Sequence, residues 1–203
     1  MSQTPQDSLS KPGAGLPRLH TFFLRYIGFP MLRAFISWEW AMRIFESEGR
    51  KVLRLAETLN EDQLFTKVLI PKTFGIEDNS RYYSAAMVLW HLTYVGDTIR
   101  EGIVALSRGE QLDFTVKIEN YKPYVDIDTA VLQNYRGFLH RYRDDIEREV
   151  EERYTANCHG HPWFGCLNPY GWLVMCALHQ WVHRRQLERI VKDLQSPLLH
   201  PAR

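Results

Sequence analysis

Three histidines carry the strongest chemical signal in this chain: His91, His179 and His183. His179 and His183 are four residues apart, so on an α-helix they lie one turn apart and about 40° from each other around the axis. Residues 169–194 have helical periodicity, and both histidines fall on the apolar side of that helix. Their neighbours on this side include Trp172, Met175 and Ile190. The sequence therefore predicts two imidazoles on the inner face of one helix.

His91 belongs to a second predicted helix, and it lies on the side of that helix that carries Val88, Val95 and Leu106. A buried polar group without a hydrogen-bond partner costs about 1–3 kcal/mol, so three inward imidazoles need partners. A shared divalent metal would supply them. Three histidine ligands leave coordination positions for water or substrate, which is typical of catalytic metal sites.

The alternative is that these are core histidines that pair with one another, with Thr98 or Gln186, or with water, because a His-x-x-x-His pair alone is a weak signal. Gln180 stands where a zinc protease needs Glu, and it is directed away from the apolar side, which disfavours a metalloprotease. Cys176, one turn before His179, is the nearest fourth ligand, and we interpret it instead as a small packed hydrophobic residue.

A second group of metal-binding residue types precedes the last helix. His159 and His161 lie close to Cys158, and such a set can bind a soft metal, although we interpret the segment as a loop. Arg184 and Arg185 follow His183 and fall on the polar side of the helix, where we expect them to be solvated.

Four amphipathic segments must position these side chains. They cover about 32–59, from Asn79 or Ser80 to 107, from Asp126 or Asp128 to 153, and 169–194 after an Asn168 cap. The first is one helix or two with a bend at Gly49, and strand-like alternation occurs only at 114–118. The prediction is an all-α four-helix bundle with long inter-helix connections, two of which are rich in Pro, Gly and aromatic residues.

Composition limits the partners. The 203 residues include 25 Lys and Arg against 24 Asp and Glu, so a net charge of +1 provides no general attraction for nucleic acid or an anionic membrane. No apolar run approaches the ~20 residues of a membrane span, and no secretory signal is visible. We expect neither a nucleic-acid nor a membrane partner.

The cysteines and the N-terminus complete the predicted organisation. Three cysteines without a Cys-x-x-Cys pair suit a reducing compartment better than a disulfide framework, which predicts a cytoplasmic protein. Residues 1–17 are rich in Ser, Gln, Pro and Gly and are predicted to be a flexible tail, followed by a single domain over 18–203. The sequence assigns no role to the apolar segment 18–31.

The stretch around His91 (AMVLWHL), the HPWFG segment at His161 and the later HQWVHRRQL segment together resemble the DinB-like (DinB/YfiT) metalloenzyme superfamily over about 32–194. The resemblance implies a four-helix bundle, often a homodimer, with a divalent metal bound by one histidine of the second helix and the His-x-x-x-His pair of the fourth. It therefore nominates His91, His179 and His183 as metal ligands, with zinc or nickel as the ion.

The resemblance also suggests a reaction class. Some members are thiol-dependent S-transferases or isomerases, in which the metal activates a low-molecular-weight thiol, because a divalent cation lowers the pKa of a bound thiol. We expect a metal-dependent enzyme, a transferase or a hydrolase, acting on a small-molecule substrate, and assign no catalytic residue. The alternative is a non-catalytic helical module for ligand binding or stress response, whose inner histidines are structural.

Overall fold

A computed structural model of the protein describes residues 5–123 and 126–196. Seven α-helices are present in this part of the chain: α1 (Arg18–Phe23), α2 (Phe29–Phe35), α3 (Trp38–Ala56), α4 (Glu61–Phe65), α5 (Ala85–Ser107), α6 (Val131–Glu149) and α7 (Pro169–Leu194). Four short strands accompany them: β1 (Val68–Leu69), β2 (Tyr82–Tyr83), β3 (His159–His161) and β4 (Gly165–Leu167). None of the described helices combines the length and the apolarity needed to cross a bilayer.

The long helices α3, α5, α6 and α7 form a four-helix bundle around one core, as the sequence predicted. Helix α7 packs against α3 and α5, and α6 packs against the same two helices from the other side. Most of α7 is buried. The large side chains at the centre of the core, fully buried, are Phe45, Tyr135, Phe138 and Tyr142.

Close packing against α6 explains two glycines inside the long helices. A Cβ atom at Gly49 of α3 would lie 2.4 Å from Leu139 Cδ2, and one at Gly96 of α5 would lie 2.3 Å from Phe138 Cζ. Both are closer than atoms pack in a protein interior. Of the two alternatives for the first segment, the break at Gly49 is absent: α3 continues through Gly49 as one helix, and the predicted segment is interrupted earlier, before Ser37, which caps α3 by accepting from the Trp40 N–H at 3.1 Å.

The predicted start of α7 is correct, whereas the predicted start of α5 lies several residues too early. Asn168 caps α7 by accepting from the Gly171 N–H at 3.0 Å, as predicted. Ser84 caps α5, so the predicted caps Asn79 and Ser80 are wrong. Those two residues belong to a 3-10 turn (Asp78–Arg81) that leads into β2. The segment 114–118 forms no strand.

The connection before α7 is a β-hairpin in which β3 pairs antiparallel with β4. A disulfide joins Cys158, just before β3, to Cys166 in β4, with Cα atoms 5.6 Å apart. The prediction that the cysteines form no disulfide is therefore wrong. The cysteine pattern can no longer be used as an argument for a reducing compartment. Cys176 is the remaining free cysteine.

The N-terminal region packs beside this hairpin. Helices α1 and α2 are joined by a π-helical turn, Leu24–Gly28, into one helical run. Within the predicted tail, Ser10 N–H donates to Asp78 Oδ2 at 3.0 Å and Gly15 N–H donates to Glu77 Oε1 at 2.6 Å. These bonds anchor residues 10–15 to the connection between β1 and β2.

Candidate metal centre

Helices α5 and α7 bring the three predicted histidines together. His91 lies on the second turn of α5, and His179 and His183 lie one turn apart on α7, which packs against α5. The Nε2 atoms of His91 and His179 are 3.1 Å apart. One ring nitrogen from each of the three histidines lies within 4.8 Å of those of the other two.

The spacing of His91 and His179 suits a common ion. Two nitrogens that each lie about 2.0–2.1 Å from one metal are roughly 2.8–3.4 Å apart for angles between octahedral and tetrahedral. The His91–His179 distance falls in that interval. Neutral imidazole nitrogens are preferred ligands of zinc, nickel and similar divalent ions, so the donor set fits such a metal.

Neighbouring carbonyl oxygens set the tautomers of two of the rings. His91 Nδ1 lies 2.8 Å from the backbone oxygen of Tyr121, and His183 Nδ1 lies 2.7 Å from Gln186 Oε1. Because an oxygen of this kind only accepts, each Nδ1 must donate, which leaves Nε2 of His91 and His183 with a free lone pair. This is the outer-shell arrangement found around metal-binding histidines.

The orientation of the Gln186 amide is itself fixed. Its Nε2 donates to the backbone oxygen of Ser80 at 2.7 Å, so Oε1 must face His183. Gln186 is fully buried, and the bond ties α7 to the turn before β2.

Burial keeps the rings neutral. It lowers the pKa of His91 and of His179 well below the ordinary value, and each is lowered further by the nearby His183. Burial also lowers the pKa of His183 to about 4, and the hydrogen bond that His183 donates to Gln186 acts in the opposite direction and raises this pKa. At neutral pH all three therefore carry lone pairs available to a metal.

A cavity adjoins the histidines. Its volume is about 140 Å³, and its walls come from α5, α7, the 112–122 connection and the β3–β4 hairpin. Most lining side chains are apolar, among them Val95, Ile99, Phe114, Phe164 and Met175. Phe114, Val116 and Ile118 all line it, so the strand-like alternation of that segment reflects alternate side chains at the cavity wall.

One charged group at the cavity was missed from sequence. Lys122 forms an ion pair with the buried carboxylate of Glu77, and its Nζ donates to Ser80 Oγ at 2.6 Å. All three residues line the cavity, and the Lys122 charge is near enough to lower the pKa of His91 and His183. Glu77 and Lys122 are 45 residues apart in sequence, so no local spacing signalled the pair.

The DinB superfamily model matches residues 44–187, a span that includes all three histidines. The chain belongs to the DinB superfamily. Among solved structures, the crystal structure of TT2238, described as a four-helix bundle protein, is similar at a TM-score of 0.50 with 22% identity. That match covers 75% of this chain and 98% of TT2238, and it supports the bundle fold alone. No curated protein matches the chain.

The remaining metal-ligand candidates of this DinB protein are not part of the three-histidine group, although His161 is near enough to lower the pKa of His179. Cys176 is buried, and Tyr142 OH donates to its Sγ at 3.4 Å, so this thiol faces α6. Cys158 is bound in the disulfide and offers no thiolate. His159 and His161 line the cavity from β3, where His161 Nδ1 accepts from the Trp163 N–H at 3.1 Å.

Two polar residues of α7 show that the side opposite the histidines, which was expected to face solvent, is partly buried. Gln180 is directed away from the histidines, as predicted, but it is buried and accepts from Tyr135 OH at 2.9 Å. Arg184, expected in solvent, forms an ion pair with the buried Glu48 of α3. The side of α7 opposite the histidines is therefore an interface with α3 and α6.

Proposed function

We propose that this DinB protein is a divalent-metal-dependent enzyme whose ion, zinc or nickel, is held by His91, His179 and His183. The observation that carries the proposal is the pair of outer-shell bonds from His91 Nδ1 and His183 Nδ1, which leave Nε2 lone pairs beside an apolar cavity. Three protein ligands leave open coordination positions, as catalytic sites require.

A bound divalent cation would supply charge that lowers the pKa of a thiol or water at an open position. The protein's own residues then bind and orient a small-molecule substrate. The apolar walls exclude water from its body, and Lys122, held by Glu77 and Ser80, is placed to pair with an anionic group of the substrate or of a low-molecular-weight thiol. If a low-molecular-weight thiol occupies the open position, the enzyme is a thiol-dependent transferase or isomerase. If water occupies it instead, the enzyme is a hydrolase.

Metal content tests the ligand assignment. Purified protein reconstituted with zinc or nickel is expected to retain about one ion per chain, and replacing any of the three histidines by Ala is expected to reduce this sharply. The exposed His140 of α6 provides a matched control, since His140→Ala removes an imidazole far from the candidate ligands. Equal retention in the three ligand variants and in His140→Ala would refute the assignment.

A cobalt-substituted protein tests the thiol form of the proposal. Binding of a low-molecular-weight thiolate to the ion is expected to add a sulfur-to-cobalt absorption band. If metal is bound but no thiol changes the spectrum, the transferase form is removed and the hydrolytic form remains.

The competing function is a non-catalytic module with structural histidines. The direct His91–His179 contact and the His183–Gln186 bond are compatible with it as well, since both were the expected pairings of that alternative. Thr98, the other expected partner, instead donates to the Tyr94 backbone oxygen. The competing function predicts protein that purifies without metal and whose melting temperature is unchanged by a chelator.

A further inference from the structure

The helical run formed by α1, the π-turn and α2 has an outer side made of apolar residues. Its exposed large side chains are spaced three or four residues apart, and we call them the N-terminal apolar face: Leu19, Phe22, Phe23, Tyr26, Ile27, Met31 and Phe35. Each is between 43% and 76% exposed, and Pro30 and Ala34 lie on the same side. Exposed apolar side chains at continuous helical spacing mark an interaction surface rather than scattered surface residues.

The charged residues of this segment are of one sign in the sequence; Lys11 and Arg18 are exposed, whereas Arg25 and Arg33 are half-buried, and Arg33 Nη2 donates to Asn168 Oδ1 at 3.2 Å. Between Asp7 and Glu39 the sequence contains Lys11, Arg18, Arg25 and Arg33, without an acidic residue. The whole chain has a net charge of only +1, so composition alone concealed this local excess. Pairing the face with a second copy would bring like charges together, whereas an anionic surface would neutralise them.

We propose that the N-terminal apolar face docks the protein onto an anionic lipid surface. A helix with aromatic and aliphatic side chains on one side and nearby Lys and Arg residues lies in the plane of such a surface, with the apolar side inserted among the lipids. The expectation that the protein has no membrane partner rested on spans and overall charge, and neither applies to a helix that lies on the membrane.

The face is also continuous with the cavity. Leu24, on the inner side of the same helical run, is buried and lines the cavity together with Leu16. Docking would therefore place one wall of the cavity next to the lipid surface. The proposal itself does not depend on the metal or on the reaction.

Vesicle flotation of the full chain tests the proposal. The probes are phosphatidylcholine vesicles with and without phosphatidylglycerol. The test variant is Leu19→Glu/Phe35→Glu, which alters the two most exposed residues of the face. The matched control is Leu69→Glu/Tyr154→Glu, which adds the same charge at exposed apolar side chains elsewhere. Circular dichroism and melting temperature establish that each variant is folded.

We expect the wild type and the control to bind the anionic vesicles, and to bind neutral vesicles at least about tenfold more weakly. The test variant is expected to lose at least about tenfold on the anionic vesicles. Absence of wild-type binding, or equal binding by both variants, overturns the proposal. A wild-type dimer in light scattering that becomes monomeric in the test variant, without vesicle binding, would show instead that the face joins two copies.

Discussion

Replacing Gln186 by Leu is expected to weaken metal binding while the three histidines stay in place. Gln186 Oε1 holds the Nδ1–H of His183, and Gln186 Nε2 donates to the Ser80 backbone oxygen. Leu fills a similar volume but removes both bonds. The His183 ring then loses the partner that fixes its tautomer and its rotation about the side-chain bonds.

The structure allows the size of the effect to be worked out. Loss of an outer-shell partner of a metal-binding histidine typically reduces metal affinity by about 10–100-fold. Two buried groups, His183 Nδ1–H and the Ser80 oxygen, also lose their partner, at about 1–3 kcal/mol each. The metal-free variant should therefore unfold with a free energy about 2–6 kcal/mol below that of the wild type.

Competition with a chromophoric chelator measures the affinity, and denaturant unfolding of metal-free protein measures the stability. Gln180→Leu is the matched control, because Gln180 is equally buried on α7 but bonds Tyr135 on the far side from the histidines. This control should lose stability and keep its metal affinity. Wild-type affinity in Gln186→Leu would show that the Gln186 bond does not orient a metal ligand.

Three further predictions concern the scaffold. Gly96→Ala should destabilise the fold by about 1–3 kcal/mol, because the new Cβ would lie 2.3 Å from Phe138 Cζ. Gly102→Ala on the same helix should be neutral or stabilising, because its Cβ would lie at an ordinary contact distance of 3.5 Å from Leu112 Cδ1. Melting temperatures of the two variants distinguish these outcomes. Burial lowers the pKa of His161 to about 3, below its ordinary value near 6.5, so its contribution to stability is complete above pH 6.5 and is lost as the pH falls. About 2 kcal/mol of that contribution should be gone by pH 5, and His161→Phe should reduce the pH dependence of urea unfolding by that amount, leaving the part that His91, His179 and His183 contribute. Cys158→Ser should cost about 2–3 kcal/mol, the loop-closure value for a sequence separation of 8, and reductant should then have no additional effect.

The helices and the convergence of the histidines were accessible from sequence because both follow from periodicity. Apolar residues at helical spacing predicted the bundle, and Asn168-Pro169 predicted where α7 begins. The apolar side of α7 placed His179 and His183 together, and this side faces α5. His91 was placed by the same reasoning on its own helix.

Features that depend on contacts between distant segments were not accessible. The Lys122–Glu77 pair, the Tyr121 oxygen beside His91 and the disulfide all join residues brought together by the connections, whose course has no periodic signal. The prediction that Arg184 is solvated failed for a related reason, because its partner also lies on another helix. Arg184 is charged, yet α3 offers Glu48 as a partner, so a charged residue became part of an interface.

Metal-edge X-ray absorption of the zinc-reconstituted protein tests the central claim most directly. We expect three imidazole nitrogens at about 2.0–2.1 Å from the ion in the wild type, and two in each of His91→Ala, His179→Ala and His183→Ala if the ion is retained. A spectrum without imidazole scattering, or one that is unchanged by all three substitutions, would contradict the account.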